Sequence, residues 1–335
     1  MYQIRSSFHL DGYLESRIGG RAENQDACGF SDTPVGALVV VCDGMGGMQG
    51  GSVASSMAVK TIISCFSDVT KEDDPFELIT TAVSSANTAI LEAASADPNL
   101  EGMGTTLVLV LINEDCAYVV SIGDSRVYQI RSKKKVFRTE DDSVVFQLVK
   151  TKTITEEEAR TSKSSNIITK ALGISKDLEY DIHPLSYRKR DRFVLCTDGY
   201  WNSMPEAELL QMINRKGELS RLFESALNKV EKIGKENNPD CFDNYTAAVF
   251  DVGVNSKKSA SNSIKRIVIS VICCILLLLS LLFSFYLYRS RTQGNIIDDA
   301  QDQVEKVADI KDTVATSPAP FIEDQSQEIK ADTLK

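Results

Sequence analysis

The stretch VVVCDGMGG, residues 39–47, places a carboxylate directly after an apolar run and follows it with three glycines in four positions. The valines are typical of a strand that is covered on both faces. The glycines favour backbone that turns tightly or approaches another group closely. The stretch therefore predicts a buried strand whose end presents Asp43. A solvated aspartate in a glycine turn is the simpler interpretation, and the rest of the chain must decide between the two.

Similar apolar runs with the periodicity of strands recur through the first 253 residues. They cover residues 7–14, 36–43, 105–112, 117–124, 191–198 and 246–253. Apolar residues at three-to-four spacing predict helices at 52–66, 75–95 and 207–233, the last broken near Gly217. The strands come in adjacent pairs and the helices in consecutive blocks. This order favours an α+β domain over alternating βαβ units.

Composition excludes several classes of protein. The chain has 335 residues, 43% of them hydrophobic, so it is long enough to bury a sizeable core. Its net charge of −10 argues against a nucleic-acid partner, because phosphates require clustered Lys and Arg. Two histidines are too few for a histidine-rich zinc site, and eight cysteines without a CxxC pair indicate free thiols in a reducing compartment. Loops of the GxGxxG and GxxxxGK types are absent from the sequence.

One segment differs from the rest of the chain. Residues 267–288, IVISVICCILLLLSLLFSFYLY, contain no charge and are long enough to cross a hydrocarbon layer of about 30 Å. They predict a single transmembrane helix, with a buried helix of a soluble domain as the alternative. The linker before it, residues 254–266, carries four basic residues and no acid, whereas residues 289–335 form an acidic tail that resembles disordered segments.

The charges that flank this segment predict its orientation in a cell membrane. Basic residues favour the cytoplasmic side, and nothing at the start of the sequence resembles an export signal. We therefore expect a single-pass protein whose domain, residues 1–253, is cytoplasmic. The acidic tail is expected on the other side of the membrane.

Acidic residues recur at the ends of the predicted strands. Asp43, Asp124 and Asp198 end three of them, and Asp243 precedes a fourth. Neighbouring carboxylates repel one another and are costly to desolvate unless a cation offsets them. An all-oxygen set of ligands suits hard divalent cations such as Mg²⁺ or Mn²⁺. Each aspartate alone is typical of a turn, but together they favour a metal cluster.

Six short motifs occur in an order that resembles one family. They are RAENQD (21–26), CDGMGG (42–47), GMGTT (102–106), GDSR (123–126), TDG (197–199) and DNYT (243–246). The chain resembles the metal-dependent Ser/Thr protein phosphatases of the PPM, or type 2C, family over residues 5–253. This resemblance implies a four-layer α-β-β-α sandwich of two antiparallel sheets flanked by helices. Residues 139–173, which include TEEEAR and NIITKALG, resemble the flap segment of bacterial members.

The resemblance also implies roles for particular residues. Two Mn²⁺ or Mg²⁺ ions would be held by the carboxylates of Asp26, Asp43, Asp198 and Asp243. The carbonyl of Gly44 would be a backbone ligand, and Asp124 would belong to a third, weaker metal position. Arg21 would bind the substrate phosphate and so serve catalysis, since a guanidinium can donate two hydrogen bonds to it.

Two positions depart from the pattern of the family. Gln25 stands where many members have Glu, so one negative charge is missing beside the expected metals. Met45 stands where eukaryotic members have the histidine that is thought to protonate the leaving group, and methionine cannot donate a proton. Bacterial members commonly have methionine there, which leaves a metal-bound water as the expected acid.

Three functions agree with these patterns. The first is a membrane-anchored phosphatase that acts on phosphorylated proteins and opposes Ser/Thr kinases in signalling. The second is a two-metal hydrolase of another phosphoester, because metals and an arginine do not by themselves select a protein substrate. The third is an inactive scaffold that binds phosphoproteins, which the intact set of acids disfavours.

Overall fold

The structure is a computed structural model that describes residues 1–46, 50–162, 164, 167–254 and 279–280. Contacts divide the chain into two compact units, Met1–Ile264 and Lys265–Lys335, and the fold below belongs to the first. Within the part that is described, no helix is both long enough and apolar enough to cross a membrane. The predicted transmembrane helix at 267–288 lies outside the described residues, apart from residues 279 and 280.

Two antiparallel six-stranded sheets form the centre of the domain. The first sheet has the order β1 (Tyr2–Arg5), β2 (Leu10–Arg17), β12 (Tyr245–Val252), β11 (Arg192–Cys196), β8 (Arg126–Arg131) and β9 (Lys134–Arg138). The second has the order β10 (Ile182–Leu185), β7 (Ala117–Ile122), β6 (Leu107–Ile112), β4 (Ala37–Met45) and β3 (Asp26–Asp32). The short β5 (Gly104–Thr105) pairs with the end of β4.

Helices cover the outer face of each sheet. The second sheet packs against α1 (Gly50–Ser64) and α2 (Pro75–Ala96), and the first packs against α6 (Glu206–Ile213) and α7 (Leu219–Asn237). A 3-10 turn at Pro98–Leu100 follows α2. Three shorter helices lie between β9 and α6, namely α3 (Val144–Lys150), α4 (Glu156–Arg160) and α5 (Asp198–Trp201).

The side chains of β4 alternate between two hydrophobic layers, one between the two sheets and one between the second sheet and its helices. Val39 and Val41 pack between the two sheets, whereas Leu38 and Val40 pack against α1 and α2, and all four are fully buried. Successive side chains of a strand point to opposite faces, so a strand covered on both sides reads as a continuous apolar run. The buried strand predicted from residues 39–42 is therefore confirmed, as is an α+β fold of two antiparallel sheets flanked by helices.

Several element boundaries differ from the predictions. The strand predicted to end at Asp43 continues to Met45, because β5 pairs with its last residues. The strand predicted to end at Asp198 stops at Cys196, and Asp198 begins α5. The break near Gly217 is confirmed, because α6 ends at Ile213 and α7 begins at Leu219.

Candidate active site

Five aspartates lie at one end of the sandwich. Asp26 begins β3 and is paired with Asp43 of β4 in the ladder. Asp124 follows β7, Asp198 follows β11, and Asp243 precedes β12. The carboxyl groups of Asp43 and Asp198 interact directly, and Asp26 and Asp124 lie close enough to repel them. The structure therefore brings together the five acidic side chains that the sequence singles out as metal ligands.

Burial makes these carboxyl groups hard to ionise. Desolvation raises the pKa of Asp26 to about 7, and repulsion from Asp198 and Asp243 adds to the rise. Desolvation, followed by repulsion from Asp243, raises the pKa of Asp198 to about 6. The pKa values of Asp43 and Asp124 are raised well above the usual range by burial and by the other carboxylates. A cation among them would remove this cost, because it favours the charged form of every acid around it.

Two carboxylate oxygens in the cluster have no protein donor. Oδ1 of Asp26 and Oδ1 of Asp198 are buried and accept no hydrogen bond. A buried acceptor without a partner costs about 1–3 kcal/mol, and metal coordination is one way to satisfy it. The set of donors is entirely oxygen, so it fits Mg²⁺ or Mn²⁺ better than softer ions.

The carboxylates do not all converge on one point. Within the described ranges, no three His, Cys, Asp or Glu side chains are grouped closely enough to hold a single ion. A site that shares its side chains between two ions, with backbone oxygens and waters as further ligands, does not require such a group.

The glycine after Asp43 is fixed by close packing. A Cβ at Gly44 would lie 2.0 Å from the carbonyl oxygen of Gly51 and 2.6 Å from that of Gln25. The N–H of Gly44 donates to the same Gln25 oxygen at 3.0 Å. Only glycine fits here, because the backbone of α1 and the segment before β3 both press against it.

Hydrogen bonds to threonine and asparagine hold the cluster in place. The hydroxyl of Thr197 donates to Oδ2 of Asp26 at 2.9 Å, and the hydroxyl of Thr106 accepts from the N–H of Asp43 at 2.9 Å. The side chain of Asn244 accepts from the N–H of Gln25 and donates to two carbonyls of the loop before it. These three supporting residues do not follow from the pattern of acids, although each lies in one of the quoted motifs.

Arg21 lies beside the acids and remains accessible. Its Nη2 is 3.2 Å from Oδ2 of Asp243, and its side chain is 44% exposed. One carboxylate does not use all five donors of a guanidinium. Arg21 is therefore free to donate to an oxyanion that approaches the cluster from solvent.

Asp124 is supported by a buried stack of side chains. The indole Nε1 of Trp201 donates to the carbonyl oxygen of Asp124 at 2.9 Å. The guanidinium of Arg126 lies 3.3 Å from the centre of the Trp201 ring and forms a bidentate pair with Asp141, at 2.8 and 2.6 Å. Trp201 is only 6% exposed. It therefore acts from the interior and supports the loop that carries Asp124.

The buried thiols near the site are poor nucleophiles. Cys42, next to Asp43, and Cys196, two residues before Asp198, are fully buried. Desolvation raises the pKa of both thiols far above their usual range. Since the thiolate is the reactive form of cysteine, neither residue can serve as the nucleophile of a covalent mechanism.

Comparison with known proteins places these observations in a family. Residues 15–235 match the family described as Protein phosphatase 2C. The chain is 32% identical over 222 residues to serine/threonine phosphatase stp of Listeria innocua, covering 65% of this chain and 88% of that protein. It is 32% identical over 233 residues to serine/threonine protein phosphatase PstP of Mycobacterium tuberculosis, covering 69% of this chain and 43% of that protein.

Solved structures agree with the sequence matches. The crystal structure of Mycobacterium tuberculosis PstP has a TM-score of 0.64 and 30% identity, and the match covers 73% of this chain and 99% of that one. The PstP catalytic domain has also been solved in complex with two manganese ions; it has a TM-score of 0.62 and 30% identity, with 73% and 99% of the two chains covered. The chain therefore belongs to the protein phosphatase 2C family and is a serine/threonine phosphatase of the bacterial type.

Proposed function

We propose that this phosphatase hydrolyses phosphoserine and phosphothreonine in proteins by a two-metal mechanism, and that it opposes Ser/Thr kinases from the cytoplasmic face of a membrane. The observation that carries the proposal is the cluster of buried acids, in which two carboxylate oxygens lack a donor. A scaffold that only binds phosphoproteins gains nothing from burying mutually repelling charges. The solved PstP complex with two manganese ions supports the choice of metal.

The acids divide into ligands and supporting groups under this proposal. Asp43 and Asp198 interact directly, so they would face the same ion or the space between two ions. Asp26 and Asp243 would complete the pair of sites, and Asp124 would serve a third position. The carbonyl of Gly44, the residue after Asp43, would serve as a backbone ligand. Mn²⁺ or Mg²⁺, when bound, supplies an activated water and positive charge for the phosphate.

Arg21 would bind and orient the phosphate in this site. The ion pair with Asp243 holds the exposed guanidinium of Arg21 beside the cluster. The N–H groups of Arg21 that do not contact Asp243 would then donate to the phosphate. Two parallel hydrogen bonds fix the orientation of a phosphate as well as its position. Met45 cannot donate a proton to the departing serine or threonine oxygen, so we propose that water supplies that proton.

Hydrolysis of a phosphopeptide tests this function directly. We expect the purified protein to release phosphate from phosphoserine and phosphothreonine peptides with Mn²⁺, and to lose that activity when a chelator removes the metal. Nucleotide monoesters serve as the control substrate. Activity that survives the chelator would exclude the two-metal mechanism, and a preference for nucleotide esters would favour the alternative phosphoester hydrolase.

The membrane anchor is a proposal from the sequence of residues 267–288. These residues lie largely outside the described part of the structure, so the support is their length, their lack of charge and the basic residues before them. We propose that they form one transmembrane helix with the phosphatase domain in the cytoplasm. The tail at 289–335 would then lie on the other side, as short acidic tails can translocate.

Cysteine labelling on intact cells tests this orientation. In a background without other cysteines, Ser317→Cys should react with a membrane-impermeant reagent, whereas Ser259→Cys should react only after the cells are permeabilised. The two positions lie on either side of the apolar run, so each is the control for the other. The reverse pattern would place the domain outside, away from cytoplasmic kinases, and equal labelling would argue against a membrane-spanning segment.

A further inference from the structure

A basic cavity lies at the end of the sandwich opposite the acidic cluster. The cavity has a volume of about 590 Å³, and its lining includes the turn between β8 and β9, the loop before β11 and the end of β12. Seven lining residues are basic, namely Arg131, Lys133, Arg188, Lys189, Arg190, Arg192 and Arg215. This concentration of positive charge is unexpected in a chain whose net charge is −10.

The two acids in the cavity are already neutralised. Asp191 is 1% exposed and accepts hydrogen bonds from Nη2 of Arg131 at 2.6 Å and from Nε2 of Gln129 at 2.8 Å. Asp251 accepts from Nε and Nη2 of Arg192, at 2.6 and 2.7 Å. These pairs tie neighbouring strands together. They leave no acid among the lining residues to offset Lys133, Arg188, Arg190 or Arg215.

The remaining basic side chains project into solvent. Lys133, Arg188, Arg190 and Arg215 are exposed, and within the described part of the chain no carboxylate forms a salt bridge with them. Lys133 and Arg190 have positive φ angles of 67° and 70°. Both residues lie in turns, and the two-residue turn of Ser132 and Lys133 between β8 and β9 is one in which positive φ is usual.

We propose that this basic face, made of Lys133, Arg188, Lys189, Arg190 and Arg215, binds the phosphate-bearing headgroups of an anionic membrane. Positive side chains spread over an open surface suit many weakly held headgroups. A single phosphate ion would instead call for donors that converge at one point. Each basic residue near such a surface strengthens binding about fivefold, so five of them are enough for a measurable association.

The course of the chain favours a membrane over other anionic partners. β12 ends at Val252, beside the basic face, and only twelve residues, 255–266, separate Val254 from the apolar run. Twelve residues can span at most about 45 Å, so an anchored domain stays close to the membrane. The acidic tail is a second candidate partner, but the proposed topology puts it on the other side. The choice of a membrane as the partner rests on the proposed transmembrane anchor. The basic face is observed in the domain and does not depend on that anchor.

This contact would turn the active site away from the membrane. Asp243 lies two residues before β12, and Asp251 lies at its far end, so the strand spans the distance between the two sites. Eight residues of a strand cover about 26 Å. A domain that rests on its basic face would therefore present the acidic cluster to the cytoplasm, where the repulsion between acids and anionic lipids is weakest.

Vesicle flotation with residues 1–254 tests the proposal without the apolar run. The three hydrophobic clusters of the described residues lie within this range, and the solved PstP structure, 99% of which is matched, covers 73% of this chain. We expect binding to phosphatidylcholine vesicles that contain phosphatidylglycerol, little binding to pure phosphatidylcholine, and weaker binding as salt is added. The triple variant Lys133→Glu, Arg188→Glu and Arg190→Glu should bind the anionic vesicles at least about tenfold less well.

A second triple variant controls for net charge. Lys60→Glu, Lys176→Glu and Lys232→Glu replaces exposed lysines outside the basic face and gives the same total charge. The proposal is overturned if this control binds as weakly as the first variant, or if anionic and neutral vesicles bind alike. It is also overturned if inorganic phosphate or a peptide of residues 292–335 binds the face while vesicles do not. Phosphopeptide hydrolysis in solution should be normal in both variants. A failure of the membrane-binding proposal can therefore be distinguished from a failure of the proposed phosphatase activity.

Discussion

Replacing Asp198 with asparagine is expected to lower the rate of phosphopeptide hydrolysis at least about 100-fold, since it removes a charge that we propose holds the metals. The same change should make the metal-free protein more stable. Burial and repulsion from Asp243 raise the pKa of Asp198, so its ionised form opposes folding when no cation is present. We expect the Tm of the metal-free variant to rise by at least about 2 °C, which corresponds to a gain of about 1 kcal/mol in the free energy of unfolding for a domain of this size. Asp43→Asn should behave in the same way.

The measurement combines kinetics with thermal unfolding. Rates are compared at saturating Mn²⁺, and unfolding is followed with a chelator and then with Mn²⁺. The wild-type protein should gain much more stability from Mn²⁺ than either variant, because ligand binding stabilises the folded state. Equal stabilisation by Mn²⁺ in all three proteins would show that these acids are not ligands.

Arg21→Ala is the matched comparison for these variants. Because Arg21 is proposed to hold phosphate, its loss should weaken the binding of substrate and of inorganic phosphate while stabilisation by Mn²⁺ stays close to that of the wild type. If Arg21→Ala lost metal binding as completely as Asp198→Asn, its role would be to support Asp243, with which it forms an ion pair.

Replacing Arg126 with methionine is expected to cost about 3–5 kcal/mol of folding free energy. Arg126 is 9% exposed and is the bidentate partner of Asp141, which is 6% exposed. Its loss leaves a buried carboxylate without a counter-charge and removes the group that stacks on Trp201. Urea unfolding at neutral pH measures the change.

A double replacement separates the charge from the packing. Arg126→Met with Asp141→Leu removes both charges, so it should cost clearly less than the sum of the two single changes. The two residues would be energetically independent if the costs were additive. The double variant should still lose activity, because Trp201 would no longer be held against the carbonyl of Asp124.

The long buried strands could be predicted because burial on both faces leaves a continuous apolar run. β4 and β6 are examples, and nearly all their residues are inaccessible to solvent. β9 and β10 are short edge strands with exposed, charged or proline-containing sequences, KKVFR and IHPL, so they lack that pattern. Their pairing is decided by neighbouring strands, which a local pattern does not report.

The grouping of the acids could be predicted, but the residues that form hydrogen bonds to them could not. Asp26 and Thr197 are 171 residues apart in sequence and meet only because the start of β3 and the end of β11 lie at the same end of the sandwich. The basic face could not be predicted either, because its lysines and arginines come from three separate segments of the chain. Residues joined only by sheet topology give no periodic signal.

The burial of the cysteines has a consequence for the conditions under which this enzyme can work. Of the six cysteines that the structure describes, Cys42, Cys116 and Cys196 are buried and only Cys241 is exposed. Peroxides attack thiolates, and burial keeps Cys42 and Cys196 in the thiol form beside the acidic cluster. Oxidants that silence phosphatases with a cysteine nucleophile would therefore leave this centre intact, so that dephosphorylation could continue during oxidative stress.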